Sequence, residues 1–481
     1  MNHVLNAKEQ AQSLILKAYR QAAEEGLLPS HPFETAPVEI PKDVKNGDFA
    51  STFAMQAAKP LGMNPRKIAE AICEKAQLEG PIFPGLEIAG PGFLNLRLGH
   101  GYFENVLRDI QEEGKNYGRS QSGKKEKIMV EFVSANPTGP MHMGNARGGV
   151  LGDSLAEVLS RAGNDVSREF YVNDAGNQIE KFAQSLEARY FQILDGEENV
   201  PFPEDGYHGD DIRELAKIFY EQHGDSYRDV SQKKRHDALV QFGLEKNLAK
   251  MRRDLEKYRI TYDTWFFEST LHDSGYVKET VDLLTQKGAT YESEGALWLR
   301  TSDYGCEKDD VLRRANGFYT YFAADIAYHR NKFEQRGFDR VINIWGADHH
   351  GHVARLKAAL DIMGLDGSHR LEIVLMQLVR LMRDGEVVRM SKRTGKAITL
   401  SDLLDEISCD AARYFFNSRA ADTHLEFDLG LAVREDNENP VYYVQYAHAR
   451  VKSILRNLEQ EGVQCSENPD LSLLKSEEEL E

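Results

Sequence analysis

Two loops, far apart in the chain, carry residue types suited to binding phosphate. The first contains His142, Gly144 and Asn145 between a short apolar strand and an amphipathic helix. In a parallel sheet such a loop lies at a helix N-terminus, where free backbone N–H groups and the helix dipole attract anions. Gly144 lets the backbone approach a ligand, and His142 supplies a donor to a phosphate oxygen. By itself the segment also fits a tight turn with a solvent-exposed histidine.

The second loop is basic and runs from Arg389 through Lys392 to Arg393. A mobile lysine there could close on a triphosphate and stabilise the negative charge that develops on its leaving oxygens. The alternative is a surface turn. The sequence has neither GxxxxGK[ST] nor GxGxxG, so the commonest phosphate-binding motifs are absent.

The elements around the first loop predict an α/β fold. From residue 128 the chain alternates strand, loop, helix, strand and helix, which is typical of a Rossmann-like, doubly wound parallel sheet. The pattern turns wholly helical after about residue 400. We therefore expect an N-terminal α+β domain over 1–120, a catalytic domain over 121–400 with a polar helical insertion at about 196–290, a helical region over 401–438, and the start of an all-α domain over 439–481.

Composition narrows the class of protein. The 481 residues include 59 Lys and Arg against 77 Asp and Glu, a net charge of −18, and 41% are hydrophobic. This is ordinary for a globular, multidomain protein, and no apolar run is long enough for a membrane span. Four scattered cysteines without a CxxC pair argue against a disulfide framework or zinc knuckle and favour the cytoplasm. The net negative charge argues against binding of nucleic acid, except at local basic clusters such as Arg389, Lys392 and Arg393.

Taken together, the two loops resemble those of a class I aminoacyl-tRNA synthetase. His142 to Asn145 match the class's HIGH sequence, and Met390 to Arg393 match its KMSKS sequence. Within the class, VEFVSANPTGPMHMGNAR and WGADHHGHVARLKAAL are similar to arginyl-tRNA synthetases of bacterial type. GPGFLNLRL resembles the end of that family's N-terminal additional domain, which contacts the tRNA elbow. The resemblance covers essentially the whole chain.

The resemblance implies roles for particular residues. The expected catalytic residues are His142, Asn145 and Lys392. Those expected to bind ATP are His142, Gly144, Asn145, Gly346, Asp348, Met390, Ser391, Lys392 and Arg393. Those expected to bind arginine are Glu131, Ser134, Asn136, His142, Tyr321, Asp325 and His349. The HIGH region comprises Ala135, Asn136, Pro137, Thr138, Gly139, Pro140, Met141, His142, Met143, Gly144 and Asn145.

Two residues depart from the family pattern. Asn145 replaces the second histidine of HIGH; it can donate a hydrogen bond but cannot carry charge. Arg389 replaces the first lysine of KMSKS and keeps its charge. We expect the mechanism to survive both changes, with an altered nucleotide affinity.

Tyr321 and Asp325 suit an arginine substrate. They are four residues apart, so a helix would place them on one face, and a carboxylate matches the planar guanidinium. Without the family resemblance, a core tyrosine, a helix-capping aspartate and, for Glu131, a strand-end glutamate would be the preferred interpretations.

The segment from Asp348 to His352 contains HHxH, which could ligate zinc. The resemblance instead assigns Asp348 to the ribose hydroxyls and His349 to the substrate wall. We therefore predict no protein-bound metal.

The implied reaction joins L-arginine to tRNA(Arg) through an arginyl-adenylate, using ATP and Mg²⁺. We expect a monomeric cytoplasmic enzyme without membrane contact that, like its family, generally needs bound tRNA before it activates arginine. The alternatives are a catalytically silent arginine- or RNA-binding paralogue and another class I enzyme such as the cysteine one, which Asp325 and the missing zinc ligands disfavour. Too few residues follow Asn439 to complete the anticodon-binding domain. An engineered fragment, a truncated gene product and half of a split enzyme all remain possible explanations.

Overall fold

The computed structural model describes residues 2–78, 82–120, 125–388, 398–464, 466, 469–474 and 476. Its contacts divide the chain into two compact units. One comprises Met1–Gln121 with Leu458–Glu481, and the other Ser122–Asn457. No helix in the described part of the chain is both long and apolar enough to cross a membrane.

The first unit is an α+β structure whose four antiparallel strands pack against helices. Asn64 caps the third helix through its side chain, and Pro65 occupies the first helical position, where a missing N–H costs nothing. Its elements are α1 (His3–Glu24), β1 (Val38–Glu39), β2 (Phe49–Ser51), α2 (Phe53–Leu61), α3 (Pro65–Lys75), β3 (Leu86–Ala89), β4 (Phe93–Leu96) and α4 (His100–Glu113). The strand order is β1-β2-β4-β3.

The second unit contains the remaining strands and helices. Its strands are β5 (Lys127–Glu131), β6 (Asp165–Val172), β7 (Thr264–Phe267), β8 (Thr290–Ser293), β9 (Ala296–Leu299), β10 (Asp310–Arg313), β11 (Arg340–Gly346), β12 (Leu371–Met376), β13 (Val379–Arg383), β14 (Glu386–Val387) and β15 (Leu425–Asp428). Its helices are α5 (Met143–Arg161), α6 (Asn177–Asp195), α7 (Asp210–His223), α8 (Gln232–Lys257), α9 (Ser269–Asp273), α10 (Tyr276–Gln286), α11 (Tyr321–Arg330), α12 (His350–Met363), α13 (Gly367–Arg370), α14 (Leu400–Glu406), α15 (Cys409–Asn417), α16 (Leu429–Ala432) and α17 (Pro440–Gln460), the last of which continues past the unit boundary.

Five parallel strands form the centre of this unit, in the order β12-β11-β5-β6-β7. The chain builds outward from β5 in one direction through β6 and β7, and in the other through β11 and β12. The strand order therefore reverses between β5 and β11, and ligands bind at such a reversal beyond the carboxyl ends of the strands. The predicted doubly wound parallel sheet is confirmed.

Helix α5 lies unusually close to this sheet. A Cβ on Gly152 would lie 2.2 Å from Cγ of the buried Phe132, so only glycine permits the observed approach. The fully buried Arg147 donates hydrogen bonds to the backbone carbonyls of Gln377, Ala420 and Thr423. These contacts fix the first turns of α5 relative to the segments that follow β12 and precede β15.

Two of the strands that the sequence analysis did not predict lie in regions expected to be helical. The predicted helical insertion at about 196–290 does contain α7 and α8, but Thr264–Phe267 within it forms β7, the edge strand of the parallel sheet. The region after residue 400, expected to be wholly helical, contains β15, which pairs with β13. Each strand has only four residues, too few for periodicity to show, and each depends on a partner strand distant in sequence.

Candidate active site

An open cleft of about 950 Å³ lies where the strand order reverses. The loop after β5 forms one wall, and the ends of β11 and β12 form another. The side chain of Asn247 on α8 donates a 2.8 Å hydrogen bond to the Pro137 carbonyl, which anchors the loop from behind. The predicted site residues that line the cleft are Ser134, Ala135, Asn136, Thr138, Gly139, Pro140, His142, Gly144, Asn145, Gly346 and His349.

His142 is the N-cap of α5 and is exposed at the cleft. Its backbone N–H donates to Asn145 Oδ1 at 3.0 Å, so the asparagine amide closes the first turn. Because Oδ1 is the acceptor, the Nδ2 hydrogens are the amide's donors and point away from the cap. A 19-residue helix therefore begins in the cleft, where its free backbone N–H groups and dipole favour an anion.

The segment before α14 is hydrogen-bonded to both sides of His142. Met143 N–H donates to the Ile398 carbonyl at 3.2 Å, and Leu400 N–H donates to the Met141 carbonyl at 3.0 Å. The predicted lysine loop, Arg389, Met390, Ser391, Lys392 and Arg393, lies outside the described residues.

The turn after β5 is conformationally strained. Val133 and Ser134 have φ of 69° and 41°, and positive φ is a genuine outlier for a β-branched residue. The Ser134 hydroxyl donates to Glu131 Oε1 at 2.9 Å, and Ser134 Oγ accepts from the Tyr171 N–H at 3.1 Å. Two hydrogen bonds thus hold the strained turn at the cleft edge.

Glu131 forms a buried ion pair behind the cleft. Lys332 Nζ donates to Glu131 Oε2 at 2.6 Å and to Asn343 Oδ1 at 3.3 Å, and the lysine side chain is fully buried. Lys332 lies in a π-helical turn, Asn331–Gln335, that continues α11. Such turns are frequent at functional sites.

A buried histidine continues this network. Asn343 Nδ2 lies 2.7 Å from His329 Nε2, and His329 Nδ1 lies 2.8 Å from the Asp325 carbonyl oxygen. A carbonyl can only accept, so Nδ1 carries the hydrogen and Nε2 accepts from the asparagine. Burial, with the charge of Lys332, lowers the pKa of His329 well below its ordinary value. The ring is therefore neutral.

Tyr321 and Asp325 share a face of α11, one turn apart, but neither lines the main cleft. Tyr321 is exposed, and its ring lies 3.4 Å from the position of a Cβ on Gly176. Burial raises the pKa of the Tyr171 phenol well above its ordinary value, with contributions from Glu268, Asp325 and Glu131. The Tyr171 side chain thus lies near the acidic end of the site, and its backbone N–H contacts the Ser134 turn.

The residues after β11 are more exposed. The side chain of Asp348 is 82% exposed, and His349 lies over Trp345 with a ring separation of 5.9 Å. His352 of the HHxH segment instead binds Asp325, with Nε2 2.9 Å from Oδ2. Among the described residues, no group of three or more His, Cys, Asp or Glu could hold a metal ion.

The structure thus collects Ser134, Gly346, His349 and most of the HIGH region in one cleft, whereas Pro137, Met141 and Met143 do not line it. Glu131, Asp325 and Tyr321 lie around or behind its acidic end. Sequence reasoning missed Lys332, Asn343, His329 and Tyr171. Only Tyr171, near the end of an apolar strand, carried a local signal, because the carboxyl ends of parallel strands meet at the site.

The fold and this cleft define a class I aminoacyl-tRNA synthetase. Residues 106–428 match the model of the catalytic domain of class I tRNA synthetases (R), and residues 9–98 match that of the arginyl-tRNA synthetase N-terminal domain. An arginine–tRNA ligase from Caldanaerobacter subterraneus subsp. tengcongensis is 56% identical over all of this chain and 85% of its own length.

Solved structures agree. An arginyl-tRNA synthetase structure from Campylobacter jejuni is 40% identical with a TM-score of 0.69, over 76% of this chain and 78% of that one. The Thermus thermophilus arginyl-tRNA synthetase, at 22% identity, shares the fold with a TM-score of 0.65, over 96% of this chain and 84% of that one. The chain belongs to the arginyl-tRNA synthetase family. It is an arginine–tRNA ligase that uses ATP, with arginine and tRNA as its substrates.

Proposed function

We propose that the cleft binds Mg·ATP with its phosphates at the N-terminus of α5. The observation that carries this proposal is the exposed His142 at the start of a long helix, in the cleft where the strand order reverses. His142, the backbone at Gly144 and the Asn145 amide would donate to phosphate oxygens. Gly346 and Asp348 would contact the ribose. Mg²⁺ would enter the cleft bound to the ATP phosphates, which is how proteins usually bind this ion.

The arginine substrate would extend from this point toward the acidic end of the site. Ser134, Asn136 and Glu131 would hold its amino and carboxylate ends beside His142, with His349 along the wall. Tyr321 and Asp325 would bind the guanidinium, whose fork of N–H donors matches a carboxylate. This assignment is supported by the carboxylates of Glu268 and Asp325 near Tyr171, because negative charge favours a cation, whereas Glu131 is already paired with Lys332.

The first reaction forms the adenylate. A carboxylate oxygen of arginine attacks the α-phosphorus, the bond from that phosphorus to the bridging oxygen breaks, and pyrophosphate leaves with the electron pair. In the second reaction a ribose hydroxyl of the terminal tRNA adenosine attacks the carbonyl carbon, and AMP leaves. The protein contributes positioning and charge stabilisation, with His142 and Asn145 on one side and Lys392 on the leaving pyrophosphate.

Lys392 tests this mechanism. We expect Lys392→Ala to slow arginine-dependent ATP–pyrophosphate exchange by roughly a hundredfold or more, measured with and without tRNA(Arg), while arginine affinity changes little. Lys125→Ala, an exposed lysine away from the cleft, is the matched control. Equal losses of exchange and arginine binding would exclude a role for Lys392 on the leaving group.

The remaining assignments are a monomer and the cytoplasm. Cys73, Cys306 and Cys409, within the described part of the chain, are free thiols, as is usual in a reducing compartment. Sedimentation of the chain with and without tRNA(Arg) would test the monomer.

A further inference from the structure

His352 on α12 is hydrogen-bonded to Asp325 on α11. His352 Nε2 lies 2.9 Å from Asp325 Oδ2, and Arg355 Nε donates to His352 Nδ1 at 3.0 Å. Arg355 is itself fixed, because its Nη1 donates to Asp310 Oδ1 at 2.5 Å. The His352 side chain is 12% exposed and that of Asp325 is 33% exposed. The aspartate is therefore open to a ligand, whereas its support is largely enclosed.

The direction of each hydrogen bond follows from the chemistry of its partner. The Nε–H of arginine can only donate, so His352 Nδ1 must accept, and the ring hydrogen lies on Nε2. Nε2–H then donates to Asp325 Oδ2. Within the described part of the chain, Asp325 Oδ1 receives no hydrogen bond from the protein. The arrangement occupies one carboxylate oxygen and leaves the other available.

We infer that His352 is a positioning residue for arginine selection. Arg355 fixes the tautomer of His352, and His352 then donates to one carboxylate oxygen of Asp325. The other carboxylate oxygen binds the guanidinium of the substrate. The inference rests on the proposed assignment of Asp325 to the guanidinium. His352 does not touch the substrate, so its effect must pass through Asp325.

Substitution at 352 can remove the hydrogen bond and keep the packing. The ring of His352 lies against Trp345 and Phe322, with ring separations of 5.6 and 5.5 Å, and leucine would fill much of this space. We expect His352→Leu to raise the Kd of the full chain for arginine by about tenfold or more, measured by calorimetry, with ATP binding unchanged. Selectivity for arginine over citrulline, its neutral urea analogue, should fall. His352→Gln, which keeps a donor near the Nε2 position, should recover most of the affinity.

Two controls separate positioning from a general structural role. His369 forms an exposed pair with Asp366 at 2.6 Å, and His369→Leu should leave arginine affinity unchanged. In an Asp325→Ala background, His352→Leu should add nothing to the loss, because the histidine acts only through the aspartate. Additive losses would overturn the inference. If the leucine variant does not fold, equal arginine affinities for His352→Gln and His352→Asn, whose shorter amide does not reach Asp325, would also overturn it.

The same titrations distinguish the inference from the proposed function. If Asp325→Ala leaves arginine binding unchanged, the guanidinium is bound elsewhere and the proposed site fails. If Asp325→Ala weakens binding and His352→Leu does not, only the role of His352 fails.

Discussion

The buried pair of Lys332 and Glu131 should be the most sensitive point of the second unit. The Lys332 side chain has no exposed surface and that of Glu131 has 7%, and their atoms approach to 2.6 Å. Removing one member of such a pair leaves an uncompensated charge and costs about 3–5 kcal/mol. Lys332→Met would also leave Asn343 Oδ1 without its donor and remove the ammonium from above the Tyr328 ring, at 4.0 Å. We therefore expect a loss near the upper end of that range.

The loss can be measured on this unit alone. All three tryptophans, Trp265, Trp298 and Trp345, belong to it, so their fluorescence during urea unfolding reports its stability rather than that of the N-terminal unit. A loss of about 4 kcal/mol would be a large part of the roughly 5–15 kcal/mol available to a folded domain. Lys278→Met, which removes an exposed pair with Asp282, should cost less than about 1 kcal/mol and is the control.

A double variant separates the charge from the shape of the site. Glu131→Gln removes the charge that Lys332→Met leaves unpaired, so the double variant should regain about 2 kcal/mol or more over Lys332→Met. The glutamine oxygen can still accept from the Ser134 hydroxyl. The double variant should be folded and yet bind arginine poorly, because it lacks the Glu131 carboxylate that is proposed to bind the substrate. A Lys332→Met cost below about 1 kcal/mol, or no recovery in the double variant, would refute the reasoning.

Two further changes test the packing and the protonation state behind the cleft. Gly152→Ala should destabilise the unit by about 1–3 kcal/mol in urea unfolding and weaken ATP binding, because its Cβ would press on Phe132 and displace α5; Gly144→Ala, with no atom within 4 Å of its Cβ, should not reduce stability. Burial lowers the pKa of His329, so below about pH 6.5 the unfolded chain binds a proton that the folded chain excludes, and stability should fall by up to about 1.4 kcal/mol per pH unit. His329→Gln should flatten that part of the stability profile, and an unchanged slope would show that the ring is protonated in the folded state. Asp366 raises the pKa of His369, so this histidine should contribute a slope of the opposite sign to the pH dependence of stability.

The sequence was sufficient to locate the loop that is proposed to bind phosphate. A strand, a glycine-containing loop and a helix lie consecutively, so the local pattern predicted a helix N-terminus at this loop. The helix begins earlier than the pattern indicated, because α5 starts at Met143, with His142 as its N-cap, inside the segment expected to be a loop. The capping role of Asn145 is equally local, because it depends on the asparagine three residues after the cap. The comparison of Asn145 with the HIGH sequence predicted a loss of charge at this position and did not predict its role in helix capping.

The support behind the site could not be predicted in the same way. Lys332 and Glu131 are separated by 201 residues, and a lysine in the polar segment NKFEQ is ordinarily solvent-exposed. Its burial depends on the π-helical turn after α11 and on the pairing of β11 with β5, which bring the lysine beneath the glutamate. Neither contact produces a periodic pattern in the sequence.

The two protein carboxylates that are proposed to bind the substrate, those of Glu131 and Asp325, are held by the same physical arrangement. Lys332 donates to one oxygen of Glu131, and His352 donates to one oxygen of Asp325. Each donor is itself fixed, the lysine by its second bond to Asn343 and the histidine by Arg355. Such a network lowers the cost of keeping negative charge at the acidic end before arginine arrives, and it also fixes the direction in which each carboxylate can accept. A ligand that lacks the guanidinium cannot meet the direction that Asp325 requires, so selectivity for arginine should depend on His352 as much as on the residues that touch the substrate.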